Sequence, residues 1–179
     1  MTKTQYYVAA SIDGFIADRD NGLDWLMQFG FDEFTADYQA FLADVGVVVM
    51  GSRTYEFVLG EGAEKWAYPE QTTWVLTSRE LPTVAGGDIR MSQGDVATLH
   101  EDWVAAAGGK NIWIVGGGVV AAQVADAGLL DEILLTTMPV VLGAGAPLLP
   151  VSGISDTFEL VSTQLFPSGA IGAVYRTRR

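Results

Sequence analysis

Apolar residues in this chain follow two rhythms. Short runs rich in branched and aromatic residues read as strands: Gln5–Ser11, Val45–Met50, Thr72–Leu76, Asp88–Met91, Ile112–Val115 and Glu132–Met138. Val45–Met50 and Ile112–Val115 lack polar interruption, the pattern of strands buried on both faces. Between them, apolar residues recur at threes and fours. Phe34, Tyr38, Phe41 and Leu42 share one face of a predicted helix over Asp32–Asp44. Val96, Leu99, Trp103 and Ala107 do the same over Val96–Ala107. Tyr55–Leu59 and Val119–Ala127 read as two more helices, with Gly128 as the stop of the second. Thr157–Leu165 and Ala170–Thr177, parted by Pro167-Ser168-Gly169, read as an antiparallel hairpin. Strands alternating with helices predict one α/β domain over residues 1–179, with a mostly parallel sheet and an antiparallel edge. Asp18–Asp24 and Gly60–Glu70 are polar connections, Trp25 to Phe29 is an apolar patch, and Pro139–Pro150 is an apolar loop.

Composition narrows the chemistry. The 179 residues hold no cysteine and the single histidine His100, so a thiolate or histidine-cluster metal site is not expected. The net charge of −12 argues against a nucleic-acid partner, which needs a basic footprint. No apolar run approaches the ~20 residues of a membrane span, and no signal-peptide layout precedes the first strand. A cytoplasmic protein with a small-molecule substrate is the expectation. With only ten basic residues, Arg53 and Arg79 carry information, because each directly follows an apolar run.

Three strand ends carry groups suited to an anion. Ile112–Val115 runs into Gly116-Gly117-Gly118 and then a helix, a geometry that aims backbone N–H groups and a helix N-terminus at phosphate. Gly51-Ser52-Arg53-Thr54 and Thr77-Ser78-Arg79 supply hydroxyls and cations at two other ends. In an open α/β sheet such ends face one crevice, and this set suits a dinucleotide carrying a 2′-phosphate. Gly116, Gly118 and Ala121 match G-x-G-x-x-A, but Thr136 and Thr137 stand where an acid for the ribose hydroxyls is expected. A standard Rossmann domain is therefore disfavoured.

Ala10-Ser11-Ile12-Asp13-Gly14-Phe15-Ile16-Ala17, Val49-Met50-Gly51-Ser52-Arg53-Thr54-Tyr55-Glu56, Leu76-Thr77-Ser78-Arg79, Ile114 to Gly118 and Pro139 to Gly145 occur in that order. Together they resemble the dihydrofolate reductase superfamily, and within it the reductase domain of bifunctional riboflavin-biosynthesis deaminase–reductases. The resemblance spans nearly the whole chain. It implies a three-layer fold with a mixed, mostly parallel eight-stranded sheet, about four flanking helices and a C-terminal antiparallel hairpin. It implies NADPH as hydride donor. Gly51, Ser52, Arg53 and Thr54 would meet the cofactor phosphates; Leu76, Thr77, Ser78 and Arg79 the adenosine ribose and 2′-phosphate. Val115, Gly116, Gly117, Gly118, Val119 and Val120 would hold the pyrophosphate, and Ala9, Ala10 and Ile16 would line the nicotinamide. A cis peptide is implied at Gly116–Gly117. Ser52 stands where the family turn often has an arginine, which removes a phosphate contact and leaves Arg79 as the substitute cation.

For the substrate, the resemblance points to Asp37 as a helix carboxylate and Thr136 as its support on a later strand. Asp13, beyond the first strand, is the rival acid. The reduced compound is expected to be a small heterocycle, of the phosphoribosylamino-pyrimidine type, with Lys65 a candidate for its phosphate. Dihydrofolate reduction is an alternative, although Asp24-Trp25 lacks the proline that usually precedes that tryptophan. A non-catalytic NADP-binding protein is another. A homodimer is expected, with the Pro139–Pro150 loop and the five tryptophans available to an interface.

Overall fold

The first strand of the chain is a central strand of the sheet. In the computed structural model, which describes residues 1–60, 66–155 and 157–178, β1 (Thr4–Ser11) lies between two strands that come more than a hundred residues later. The remaining elements in order are β2 (Phe15–Ala17), α1 (Asp24–Met27), α2 (Thr35–Ala43), β3 (Val45–Gly51), α3 (Ser52–Gly60), β4 (Thr72–Leu76), β5 (Asp88–Ser92), α4 (Val96–Ala107), β6 (Asn111–Gly116), α5 (Gly118–Asp126), β7 (Glu132–Met138), β8 (Ala146–Pro147), β9 (Phe158–Leu165) and β10 (Ile171–Thr177). Eight strands form one sheet in the order β5-β4-β3-β6-β1-β7-β10-β9. The five pairings from β5 through β7 are parallel, and β10 pairs antiparallel with both β7 and β9. This is the mixed, mostly parallel, three-layer sheet that the alternating pattern predicts, closed at one edge by the hairpin.

Strand alternation sends side chains to two cores. On one face Tyr6, Val47, Val49, Ile112 and Ile114 pack under α4 and α5 through Trp103, Ala107, Val120, Ala121 and Val124. On the other, Val45, Val48, Met50, Val75 and Trp113 pack under α2 and α3 through Tyr55, with Tyr38, Phe41 and Leu42 half-buried beside them. Residues Val47 to Met50 are 0% exposed, so β3 is covered on both sides as its unbroken apolar run requires. Helix α4 starts at Asp95, whose carboxylate accepts the Thr98 N–H at 3.4 Å, and ends at Gly108 in the left-handed region with φ 60°. Its last turn lies directly on β3: a side chain at Gly46 would collide with the Ala107 carbonyl.

Several expectations are adjusted. Helix α2 begins at Thr35 rather than Asp32 and has no fully buried residue, its apolar face of Tyr38, Phe41 and Leu42 being half-buried against the core. The Trp25 patch is a one-turn helix, so five helices flank the sheet among the described residues instead of four. The apolar Pro139–Pro150 loop contributes β8, which pairs antiparallel with β2 as a separate two-stranded ribbon. All five tryptophans are core residues, 0% to 8% exposed, and supply nothing to an interface. Lys65 lies outside the described residues.

Candidate functional site

The carboxyl ends of β3, β4 and β6 meet side by side. Gly51 pairs with Leu76, and Met50 with Gly116. Helices leave two of these ends without a linker. Ser52 is already the first residue of α3, three residues earlier than the apolar pattern predicts, so Ser52, Arg53 and Thr54 form its opening turn. Gly117, extended at φ −80° and ψ −179°, precedes α5 with no side-chain cap. Gly51 likewise offers no side chain to α3. Both helices therefore present uncapped backbone N–H groups, the donors that bind anions at helix N-termini.

Glycine is favoured at Gly116, where the backbone takes a positive φ. A Cβ on Gly116, whose φ is +148°, would stand 3.4 Å from the Thr54 hydroxyl oxygen. A Cβ on Gly51 would stand 3.3 Å from the Val120 side chain. The Gly116–Gly117 peptide is cis. Residues Val115 to Val120 thus form a cradle against Thr54, with Val119 alone exposed, at 62%. Behind it, a side chain on Gly118 would collide with the Pro147 carbonyl oxygen and lie 2.7 Å from that of Leu148, so the loop after β8 seats directly on the start of α5.

The third corner is built on β4. Thr77 donates its N–H to Ser92 O at 2.9 Å, and its hydroxyl oxygen accepts the Arg79 N–H at 3.0 Å. Ser78 and Arg79 are exposed. The guanidinium does not stand free: Nη1 and Nη2 donate to the two carboxylate oxygens of Glu56 at 3.0 and 2.8 Å. Those bonds hold the Glu56 carboxyl below its usual range, with Arg53 adding to the effect. In the sequence Glu56 gives no signal of a site role, which emerges only when α3 and the Thr77 turn are placed side by side.

Beside this crevice, a row of residues crosses the sheet on the α2 face. Ala9 pairs with Thr136, Thr136 with Gly172, and Gly172 with Gln164. Side-by-side residues point to the same face of a sheet. Asp37 stands over this row from α2 and accepts Gln164 Nε2–H at 3.0 Å. Tyr7, two residues before Ala9, shares the face, stacks on Phe41 at 4.5 Å between centroids and is pushed up to about 12 by burial, then by the charges of Asp37 and Tyr38. Its phenol stays protonated at neutral pH, next to a carboxylate. Nothing in the Tyr6-Tyr7 pair distinguishes the two before strand alternation assigns their faces.

Asp13 is placed differently. Its oxygens accept the Ser11 hydroxyl at 2.6 Å and the N–H groups of Leu142 and Gly143 at 3.1 and 2.7 Å. The Ser11 bond, then the two backbone bonds, hold its carboxyl below the usual range. It clasps the β1–β2 turn to the Pro139–Pro150 loop, and a firmly ionised acid with its lone pairs engaged is poorly suited to proton donation. Ala10 is buried, and Ala9 and Ile16 are half-buried around the same mouth. A separate open cavity of about 470 Å³ lies on the opposite face, lined by Tyr6, Ile133, Leu135, Phe158 and Tyr175 among others, and is almost wholly apolar. No cluster of acids and histidine that could hold a metal ion occurs among the described residues, and none of their helices is long and apolar enough to cross a membrane.

A family model described as the RibD C-terminal domain matches residues 63–171, more than half of the chain. The uncharacterized protein YwjB of Bacillus subtilis (strain 168) is 33% identical over 152 residues, covering 82% of each chain. Among solved structures, a Shewanella sp. PV-4 protein assigned to riboflavin biosynthesis is 25% identical, with a TM-score of 0.86 over 99% of this chain and 100% of its own. The Enterococcus faecalis dihydrofolate reductase, solved in complex with NADP(H) and RAB-propyl, has a TM-score of 0.64 at 18% identity, covering 97% and 95%. That last likeness is one of fold.

Proposed function

The chain belongs to the RibD C-terminal domain family, and on that premise we propose that it is an NADPH-dependent reductase that transfers a hydride to a small heterocycle of the phosphoribosylamino-pyrimidine type. The observation that carries this reading is the cradle at Gly116–Val120. It pairs two uncapped helix N-termini with a glycine turn in which Gly116 takes a positive φ and Gly118 leaves no room for a side chain. The cradle fits a pyrophosphate. Val115 to Val120 would hold it; Gly51, Ser52, Arg53 and Thr54 would meet the phosphates from α3. Leu76, Thr77, Ser78 and Arg79 would hold the adenosine ribose and its 2′-phosphate. Ala9, Ala10 and Ile16 would line the nicotinamide, which supplies the hydride when bound.

The remaining roles belong to the α2 face. Asp37 would accept N–H groups of the heterocycle and fix its orientation, with Thr136 in the row beneath. Alignment of donor and acceptor does most of the work in hydride transfer. Tyr7, stacked on Phe41 on the same face, keeps its proton at neutral pH and would form part of the wall beneath Asp37. A homodimer remains part of the proposal, its apolar surface drawn from Leu160, Val161 and Leu165 on the edge strand β9 rather than from the tryptophans. Sedimentation at micromolar concentration tests it.

The function is tested by thermal unfolding with NADPH, followed by loss of NADPH absorbance on addition of the pyrimidine or dihydrofolate. NADPH at a hundredfold excess over Kd should stabilise by about 2.7 kcal/mol. Stabilisation without hydride transfer to any acceptor would favour a non-catalytic nucleotide-binding role.

A further inference from the structure

Among the described residues, Arg79 is the cation placed to replace the arginine missing at Ser52, yet an acid already occupies it. Both Nη atoms donate to Glu56, so the fork that would grip a phosphate is closed. Glu56 lies one turn into α3, near enough to Arg53 to feel its charge. The corner therefore brings together Arg53, Arg79 and Glu56. The Arg79 and Glu56 side chains are 54% and 44% exposed, and ion pairs this exposed are weak. An incoming phosphate can displace the carboxylate from the fork. It cannot remove the carboxylate's charge, which stays on the same short helix turn.

Resting on the dinucleotide reading above, we propose that Glu56 sets the selectivity between phosphorylated and unphosphorylated dinucleotides by opposing the 2′-phosphate at Arg79. A carboxylate about 6 Å from a phosphate dianion, in water-like surroundings, weakens its binding about tenfold. The unphosphorylated cofactor has no such charge to lose. The effect is electrostatic at an exposed site, so it shrinks as salt rises.

The test is isothermal titration calorimetry of NADPH, NADH, 2′,5′-ADP and 5′-AMP against the wild type, Glu56→Gln and Arg79→Gln. The ratio of the NADH to the NADPH dissociation constant should rise about tenfold in Glu56→Gln at low salt. The ratio for 5′-AMP over 2′,5′-ADP should rise with it, and both should fall in Arg79→Gln. Unchanged ratios in Glu56→Gln overturn the proposal. So do falling ratios, which would make Glu56 a support that holds Arg79 ready for phosphate. A wild type that binds neither dinucleotide would overturn the cofactor reading itself; one that binds NADPH while Glu56→Gln leaves the ratio alone removes only the selectivity role.

Discussion

Glu132 offers the sharpest test of how the sheet is held. It is 4% exposed at the start of β7. Its carboxylate accepts Lys3 Nζ–H at 2.9 Å, Gln5 Nε2–H at 2.8 Å and Arg176 Nε–H at 3.0 Å. One acid thereby ties β1 and β10 to β7. In Glu132→Gln the shape is kept, the charge is lost and two cations lose their counter-ion. Breaking a fully buried pair costs about 3–5 kcal/mol. Here the Lys3 and Arg176 side chains are 44% and 45% exposed and regain water. The expected loss is accordingly lower, about 2–3 kcal/mol. Unfolding entropy of about 2.1 cal/mol/K per residue, over 179 residues, gives about 0.38 kcal/mol/K, so the melting temperature should fall by about 5–8 °C. The pH dependence follows from the carboxyl. Burial pushes it up, but the bonds from Lys3, Gln5 and Arg176 outweigh that and leave it below the usual range. A lowered carboxyl stabilises above its unfolded value of about 4.3 and loses that contribution as pH falls through the lower folded value. Urea unfolding at neutral pH and at steps into acid should show the full gap near neutrality and a closing gap in acid. A gap under about 0.5 kcal/mol at neutral pH, the size of an ordinary surface change, would refute the reasoning. So would a gap that widens as pH falls.

The other predictions concern the mouth of the crevice. Gly118→Ala gains at most about 1 kcal/mol of helix propensity but drives a methyl into the Pro147 and Leu148 carbonyls, an overpacking worth about 1–3 kcal/mol; thermal unfolding should show a net loss, and a higher melting temperature would contradict it. Asp13→Asn weakens the clasp on the loop after β7, so the Leu142 and Gly143 amides should exchange hydrogen faster while the global melting temperature barely moves; unchanged exchange would count against the clasp. Asp37→Asn should lower kcat by about a hundredfold or more if the carboxylate orients the heterocycle or passes a proton, with no loss of stability, since Asp37 is exposed; full activity in steady-state assays would remove it from the site.

What could be read in advance was what depends on local pattern. Val45–Met50 and the Gly116–Gly118 turn announce a buried strand and a strand–helix junction, and both stand where the pattern puts them. What could not be read depends on distant partners. Glu56 and Arg79 are 23 residues apart, and Asp13 and Gly143 are 130 apart. Side-chain pairs of that kind leave no periodic trace. The β2–β8 ribbon is too short to show alternation. The tryptophans illustrate a different limit: outside a periodic element apolar bulk fits a core or an interface equally well, and only packing shows that Trp25 and Trp66 are interior.

The central place of β1 bears on how the protein is made. Lys3 is separated from Asn111 by 108 residues, yet the two are joined at the seam between β1 and β6. At about 5–20 residues per second of translation, the YYVAAS segment waits roughly 5 to 20 s before its first neighbour leaves the ribosome, and longer for β7. Its backbone groups stay without a strand partner for that interval. The nascent chain can assemble β3 and β4 without it, but the sheet stays in two halves until residues from beyond its midpoint arrive. The order of synthesis and the order of pairing run in opposite directions, and the N-terminal strand is where a holding chaperone or a misplaced edge would find this protein first.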